Sequence, residues 1–206
     1  MLDTKERILQ VAEKLFIEKG IEGSSLRAIT TEANANIAAI NYHFGSKDKL
    51  VQEVFKKYLY PLDHVREKIL KEAFERSPDG LLKVKDLVRA FLLPWFEFKA
   101  AHPQVMQIFM RFYGLQAGVT NSSFRKMVTE TAKDAYAVFS EGVFKALCDI
   151  PEDILKKRIN IAVATGASFV INGWLIRSLE TISGVETEQD YLIDHLVAII
   201  EKGIVG

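Results

Sequence analysis

The stretch that most constrains this chain runs from Gly20 to Ser46, where short apolar segments are divided by residues that start and stop helices. Upstream of it, Ile8, Val11, Ala12, Leu15 and Phe16 recur at the three-and-four spacing of a one-sided helix over residues 4 to 19, which Gly20 ends. Asp3 followed by Glu6 gives a capping-box pattern at its start, since each side chain can reach backbone donors left free in the first turn. Ser24 and Ser25 are natural caps for a second, short helix that turns Leu26, Ile29 and Ala33 inward. Asn34 then tolerates the left-handed backbone that a tight interhelical turn demands. Asn36 can cap a third helix reaching about Phe44 and closed by Gly45, and Ser46 caps a fourth that runs through Leu50, Val54, Phe55 and Tyr58. Two short helices joined by a turn of about four residues and packed on a longer first helix make a helix-turn-helix unit.

Beyond Tyr60, Pro61 predicts a break, and the rest of the chain shows long helical patterns without strand-like alternation. Turn signals fall at Ser77-Pro78-Asp79-Gly80, His102-Pro103, Gly118 to Ser122, Ile150-Pro151 and Ile182 to Glu186, so this part reads as five or six helices. Pro94 lies inside one of them and is expected to kink it. The expected fold class is all-α, with nine or ten helices in total. Residues 159 to 176 carry no charge and are long enough to cross a bilayer. Asn160, Thr165, Ser168 and Asn172, with Gly166 and Gly173, instead suit a helix buried between helices, so no membrane partner is expected.

Charge and cysteine usage narrow the functional classes. The 27 basic and 27 acidic residues give a formal net charge of zero, so any affinity for nucleic acid has to come from local placement. The lone Cys148 excludes an internal disulfide and multi-cysteine zinc sites. Asp3, Lys5, Glu6 and Arg7 stand where a signal peptide needs an apolar run, which makes a cytoplasmic protein the expectation. No nucleophile with a partnered base, no His-Glu-x-x-His, no glycine-rich phosphate loop and no paired His/Cys spacing occurs, so neither an enzyme, a metal nor a cofactor is expected.

Between Ala33 and Lys47 there is no acidic residue, so this segment can approach phosphate without repulsion. Tyr42, His43 and Lys47 can donate to phosphate oxygens, and helix starts at Ser25, Asn36 and Ser46 offer free backbone amides. On the third helix Ile37, Ala38 and Ala39 are apolar enough to meet thymine methyl groups, and Asn41 can pair with adenine. Phe44 fits an ordinary core position.

The run Ile40-Asn41-Tyr42-His43-Phe44-Gly45-Ser46-Lys47-Asp48-Lys49-Leu50, preceded by Arg27-Ala28-Ile29 and Ala33, resembles the signature of TetR transcriptional regulators, over about residues 4 to 58. Asn36 to Phe44, reading Asn-Ile-Ala-Ala-Ile-Asn-Tyr-His-Phe, is similar to the recognition helix of one TetR subgroup. The sequence departs from the family at Asn34, where glycine is usual, and at Asn41, where tyrosine is common. The resemblance implies a DNA-binding domain over residues 1–58 and a ligand-binding and dimerisation domain over residues 59–206. It implies a homodimeric repressor that grips a palindromic double-stranded operator and is released by a small-molecule effector. Arg27 matches a family position that reaches a base or phosphate. The resemblance also places the dimer interface in the last long helices, here about residues 151 to 180 with part of the preceding helix from Ser122 to Leu147 or of the final one from Glu188 to Lys202; the small residues Ala162, Gly166, Ala167 and Gly173 let another helix approach closely.

The effector is expected among the middle helices, where Phe91, Trp95, Phe98, Met106, Phe109, Met110, Tyr113 and Tyr136 supply apolar and aromatic walls for a hydrophobic or aromatic compound. Gln107, Arg111 and Tyr136 are the polar groups that can orient it. At helical spacing the same side chains fit a tightly packed core, and both roles remain open at this level. A helical adaptor binding protein through this aromatic surface is the rival reading, and salt-dependent DNA affinity separates the two.

Overall fold

Local capping chemistry decides where the first helices start. In the computed structural model, which describes residues 3–116, 123–171 and 173–206, Asp3 accepts a hydrogen bond from the Glu6 amide at 2.8 Å and opens α1 (Thr4–Gly23). Ser25 accepts from Ala28 N at 3.1 Å and opens α2 (Leu26–Glu32); Asn36 accepts from Ala39 N at 2.8 Å and opens α3 (Ile37–His43). Ser46 accepts from Lys49 N at 3.2 Å at the start of α4 (Lys47–Arg76). The helices α5 (Val84–Ala101), α6 (Pro103–Gln116), α7 (Ser123–Ala146), α8 (Glu152–Ile171), α9 (Gly173–Ser183) and α10 (Gln189–Val205) follow, giving ten helices and no strand among the described residues. The all-α expectation holds. The turn signal from Gly118 to Ser122 lies outside the described residues, as does Asn172 of the charge-free stretch.

Gly20 does interrupt α1, with φ 74°, although a last helical turn resumes as far as Gly23. The break expected at Pro61 does not occur, because α4 runs through it to Arg76. A proline inside a helix costs about 3 kcal/mol. Pro61 faces solvent, where water can satisfy the carbonyl it frees, and Leu59, Leu62 and Leu70 bury the opposite side of α4. Each such leucine stabilises by about 2 kcal/mol, enough to carry the helix across. Pro94 lies within α5, as expected, with its ring buried.

Two compact units make up the chain. The first comprises Met1–Pro61 with His102–Thr131, and the second Leu62–Ala101 with Ala132–Gly206. In the first, α1 packs on α2, α3 and α6, around a core that includes Ile8, Ala12, Leu15, Phe16, Ile29 and Ile40. Phe55, Phe109, Phe112 and Phe124 pack beside one another in this unit, with Phe112 and Phe124 edge to face at 4.8 Å. Gln52, buried, donates to Ser123 Oγ at 2.7 Å, so its amide is satisfied inside the unit.

In the second unit α5, α8 and α10 pack on one another. A Cβ at Gly166 would lie 2.5 Å from Leu92 Cδ2, so any larger residue there would force the Leu92 side chain to move. Ala162 is buried too, so both of these small residues lie inside the unit, as the expected close approach of another helix requires. The opposite face of α8 is exposed at Ile161, Ala164, Ala167 and Ser168. The surroundings of Gly173 lie outside the described residues. The unit also buries a charge pair. Arg66, 2% exposed, donates through Nε to the Phe91 carbonyl at 3.0 Å and through a terminal nitrogen to Asp63 Oδ1 at 3.2 Å. Its guanidinium lies 3.7 Å over the Phe91 ring, which stacks in turn on Phe139 at 4.6 Å. No helix among the described residues is long and apolar enough to cross a membrane.

Candidate nucleic-acid interface

The third helix divides its residues by face. Ile40 is fully buried and Phe44 nearly so, while Ile37, Ala38, Asn41 and Tyr42 are exposed, Tyr42 at 86%. This division follows from helical geometry: residues 37 and 41, and 38 and 42, are one turn apart and share a face, and residues 40 and 44 share the opposite one. The buried pair anchors the helix, so the polar and small side chains face outward. Ala39 and His43 are half-buried at the margins, and the Tyr42 and His43 rings meet edge to face at 5.0 Å.

The turn ahead of this helix depends on Asn34, whose φ of 47° is the one positive value outside glycine among the described residues. Ala35 N donates to the Thr30 carbonyl at 2.9 Å and closes the turn. Behind the helix, Gly45 at φ 78° lets the chain reverse, and its amide donates to Ile40 and Asn41 carbonyls, each at 3.1 Å. Ser25 and Arg27 are exposed at the start of α2, and Asn36 is exposed at the start of α3. Lys47, half-buried, begins α4. All ten residues that sequence reasoning assigned to DNA therefore lie on the segment from Ser25 to Lys47 with their side chains at least partly accessible.

Cross-links hold this head together. Lys14 on α1 pairs with Glu32 on α2 at 2.7 Å, and Arg7 Nε donates to the Ala33 carbonyl at 3.4 Å. Two features were missed at the level of sequence. Lys49, not among the residues assigned to DNA, is exposed beside Gly45, where a Cβ on that glycine would lie 3.9 Å from its Nζ, so its ammonium stands at the C-terminal end of the reading helix. Glu13 on α1 binds two neighbours on α4, accepting from Lys57 Nζ at 2.6 Å and from the Tyr58 hydroxyl. Burial, reinforced by Glu13, holds the Tyr58 phenol above its ordinary pKa. The signal for Lys49 was its one-turn spacing from Gly45; a tie across 44 or 45 positions leaves no local trace.

The residues assigned to an effector fall into two groups. Phe91 is buried in the second unit with half-buried Trp95, Phe98 and Tyr136, and Tyr136 donates to Asn160 Oδ1 at 2.7 Å. Met106 and Phe109 are buried in the first unit, where Met110 is half-buried and Gln107 exposed. The side chains of Tyr113 and Arg111 lie outside the described residues. Among the described residues no group of three His, Cys, Asp or Glu side chains is placed to hold a metal ion.

Comparison with known proteins adds to this geometry. Residues 8–54 match the family described as bacterial regulatory proteins, tetR family, and residues 89–203 match the family described as tetracyclin repressor-like, C-terminal domain. The probable HTH-type transcriptional regulator YttP of Bacillus subtilis is 35% identical over 57 residues, 28% of each chain. The HTH-type transcriptional repressor NicS of Pseudomonas putida is 30% identical over 105 residues, 51% of this chain and 46% of that one. The chain thus spans less than half the length of these two curated relatives. The crystal structure of HlyIIR, a hemolysin II transcriptional regulator, superposes with a TM-score of 0.57 at 20% identity, over 95% of this chain and 96% of that one, a likeness of fold.

Proposed function

This chain belongs to the TetR family of bacterial regulators, a family of transcriptional regulators rather than enzymes, and from that premise we propose that it is a ligand-responsive repressor binding a palindromic operator as a homodimer. One observation carries the reading: a seven-residue helix, flanked by an acid-free segment, turns Ile37, Ala38, Asn41 and Tyr42 outward while Ile40 anchors it in the core. Residues 1–58 form the DNA-binding domain in this reading, and residues 59–206 the sensing and dimerisation domain. Asn41 reads adenine, and Ile37, Ala38 and Ala39 meet thymine methyl groups. Tyr42, His43, Lys47, Arg27 and the helix starts at Ser25 and Asn36 fix register on the phosphates. The likeness of the segment Asn36 to Phe44 supports membership of the subgroup with this recognition sequence.

Dimerisation is supported by apolar side chains left exposed on the last helices, Ile161 at 68% on α8, Ile182 at 81% on α9 and Ile199 at 57% on α10. A symmetric dimer offers two heads to successive major grooves about one helical turn apart. A hydrophobic or aromatic effector, bound either by Phe91, Trp95, Phe98 and Tyr136 or by the group of Met106, Phe109, Met110 and Tyr113, releases DNA by binding better to a spacing of heads that does not fit the operator. The protein acts in the cytoplasm, where operator and effector meet.

Selection from random duplexes tests the reading. Enrichment of an inverted repeat with half-sites about one helical turn apart is the expected outcome. Failure to enrich any sequence, or affinity that does not fall with salt, would remove DNA recognition and leave the adaptor reading.

A further inference from the structure

A cleft of about 570 Å³ opens in the first unit, between the end of α1, the first turn of α4 and the middle of α6. That volume lies within the range of small-molecule sites, roughly 300 to 1,000 Å³. It is separate from the residues assigned to the effector, apart from the polar Gln107 at its edge. Its floor is apolar and aromatic: Phe16 and Phe112 are both buried, and Ile108 is half-buried beside them. A flat or globular aromatic body fits such a floor by area burial and ring contact.

The rim is charged and unbalanced. Glu18, Glu22 and Asp48 line it against Lys19 and Lys47, an excess of one carboxylate. None of these three acids makes a direct ion pair among the described residues, though Glu18 lies within charge reach of Lys14, whereas Glu13 and Glu32 of the same unit are paired directly with Lys57 and Lys14. The two signs also differ in reach. Glu18, Glu22, Asp48 and Lys19 are exposed and Lys47 is half-buried, but a carboxylate on a short stem keeps its charge near the wall, whereas a lysine can carry its ammonium away along four methylenes. We propose that this cleft binds an organic monocation with an aromatic body, its rings on Phe16, Ile108 and Phe112 and its charge among Glu18, Glu22 and Asp48. Of the residues assigned to DNA only Lys47 reaches its rim, and the site stands whether or not an effector binds the sensing helices.

Calorimetric titration of the full chain with tetraphenylphosphonium, and with tetraphenylborate as its oppositely charged isostere, tests the proposal. The phosphonium binds one site per chain with Kd below about 1 mM, and the borate binds at least about tenfold more weakly. Combining Glu22→Gln with Asp48→Asn, both exposed, weakens the phosphonium about tenfold, the size of a lost charge contact of about 1.4 kcal/mol. Ile108→Trp fills the cleft and abolishes binding. In the unaltered chain, methyl signals of Ile17, Ile21 and Ile108 shift on titration while those of Ile193 and Ile200 in the second unit do not. These signals and the carboxylate pair decide the matter even where Ile108→Trp does not fold. No phosphonium binding at millimolar concentration, equal affinity for the borate, or shifts confined to Ile193 and Ile200 would each overturn the site, and none of them bears on operator recognition.

Discussion

Asn34 holds the turn before the reading helix at φ 47°, a backbone conformation that strains any residue with a Cβ and strains asparagine least. Replacing it by glycine removes that strain and is expected to raise the unfolding free energy by a few tenths to about 1 kcal/mol, while Asn34→Val lowers it by about 1 to 2 kcal/mol. Urea midpoints of the two variants measure both, and a stable valine variant would contradict the account. Asn36→Ala removes the cap on Ala39 N and is expected to cost about 1 kcal/mol. Tyr42→Ala separates function from stability, because the side chain is 86% exposed. Its urea midpoint is expected to stay within about 0.5 kcal/mol of the parent while operator affinity falls about tenfold. Unaltered affinity would take Tyr42 out of the interface. Residues of this kind were legible in the sequence because capping and left-handed turns are settled within four positions: Ser25, Asn34, Asn36, Gly45 and Ser46 each act on their immediate neighbours.

Among the helices, the sequence misled where distant packing overrode local preference. Pro61 carries a strong stop signal, yet α4 continues because leucines on its other face are buried. Gly166 announced close approach correctly, but the partner is Leu92 of the same unit, and spacing alone cannot say which helix comes near. The Asp63 and Arg66 pair on α4 was invisible for the same reason, since i and i+3 charges usually sit in solvent. Burial pushes the Asp63 carboxyl above its ordinary value, against the pull of Arg66, and lowers Arg66 to about 10. A raised carboxyl pKa means the folded chain holds its proton more tightly than the unfolded one. Its contribution is therefore fully present below the ordinary value near 3.8 and is lost as pH rises through the raised one. The stability of the parent relative to Asp63→Asn is thus expected to decline between pH 4 and pH 7, whatever the fixed cost of removing the partner of Arg66. Paired denaturation curves at the two pH values read this difference directly, and a difference that grows with pH would show that Arg66 dominates.

On the scale of the whole molecule, charge has to be placed rather than accumulated, because 27 basic residues face 27 acidic ones. A neutral chain gives DNA no general attraction, so the phosphate contacts are confined to the heads. In the proposed dimer each head brings Arg27 and Lys47, roughly four cations in all, and neutralising four phosphates gives a slope of log affinity against log salt of about −4. Tyr42 and His43 add hydrogen bonds, but the uncharged tyrosine releases no counterion. Lys47→Gln changes both heads at once and is expected to flatten the slope by about 2, with sequence preference unchanged, whereas Asn41→Ala leaves the slope alone and relaxes the preference for adenine. The same titration tests assembly. Ile161→Asp places a charge on the exposed apolar face of α8, and a chain thereby held as a monomer keeps one head and about half the slope. A slope much steeper than −4 in the parent would mean that phosphates are met outside the segment from Ser25 to Lys47, and a slope untouched by Ile161→Asp would move the dimer contact off α8.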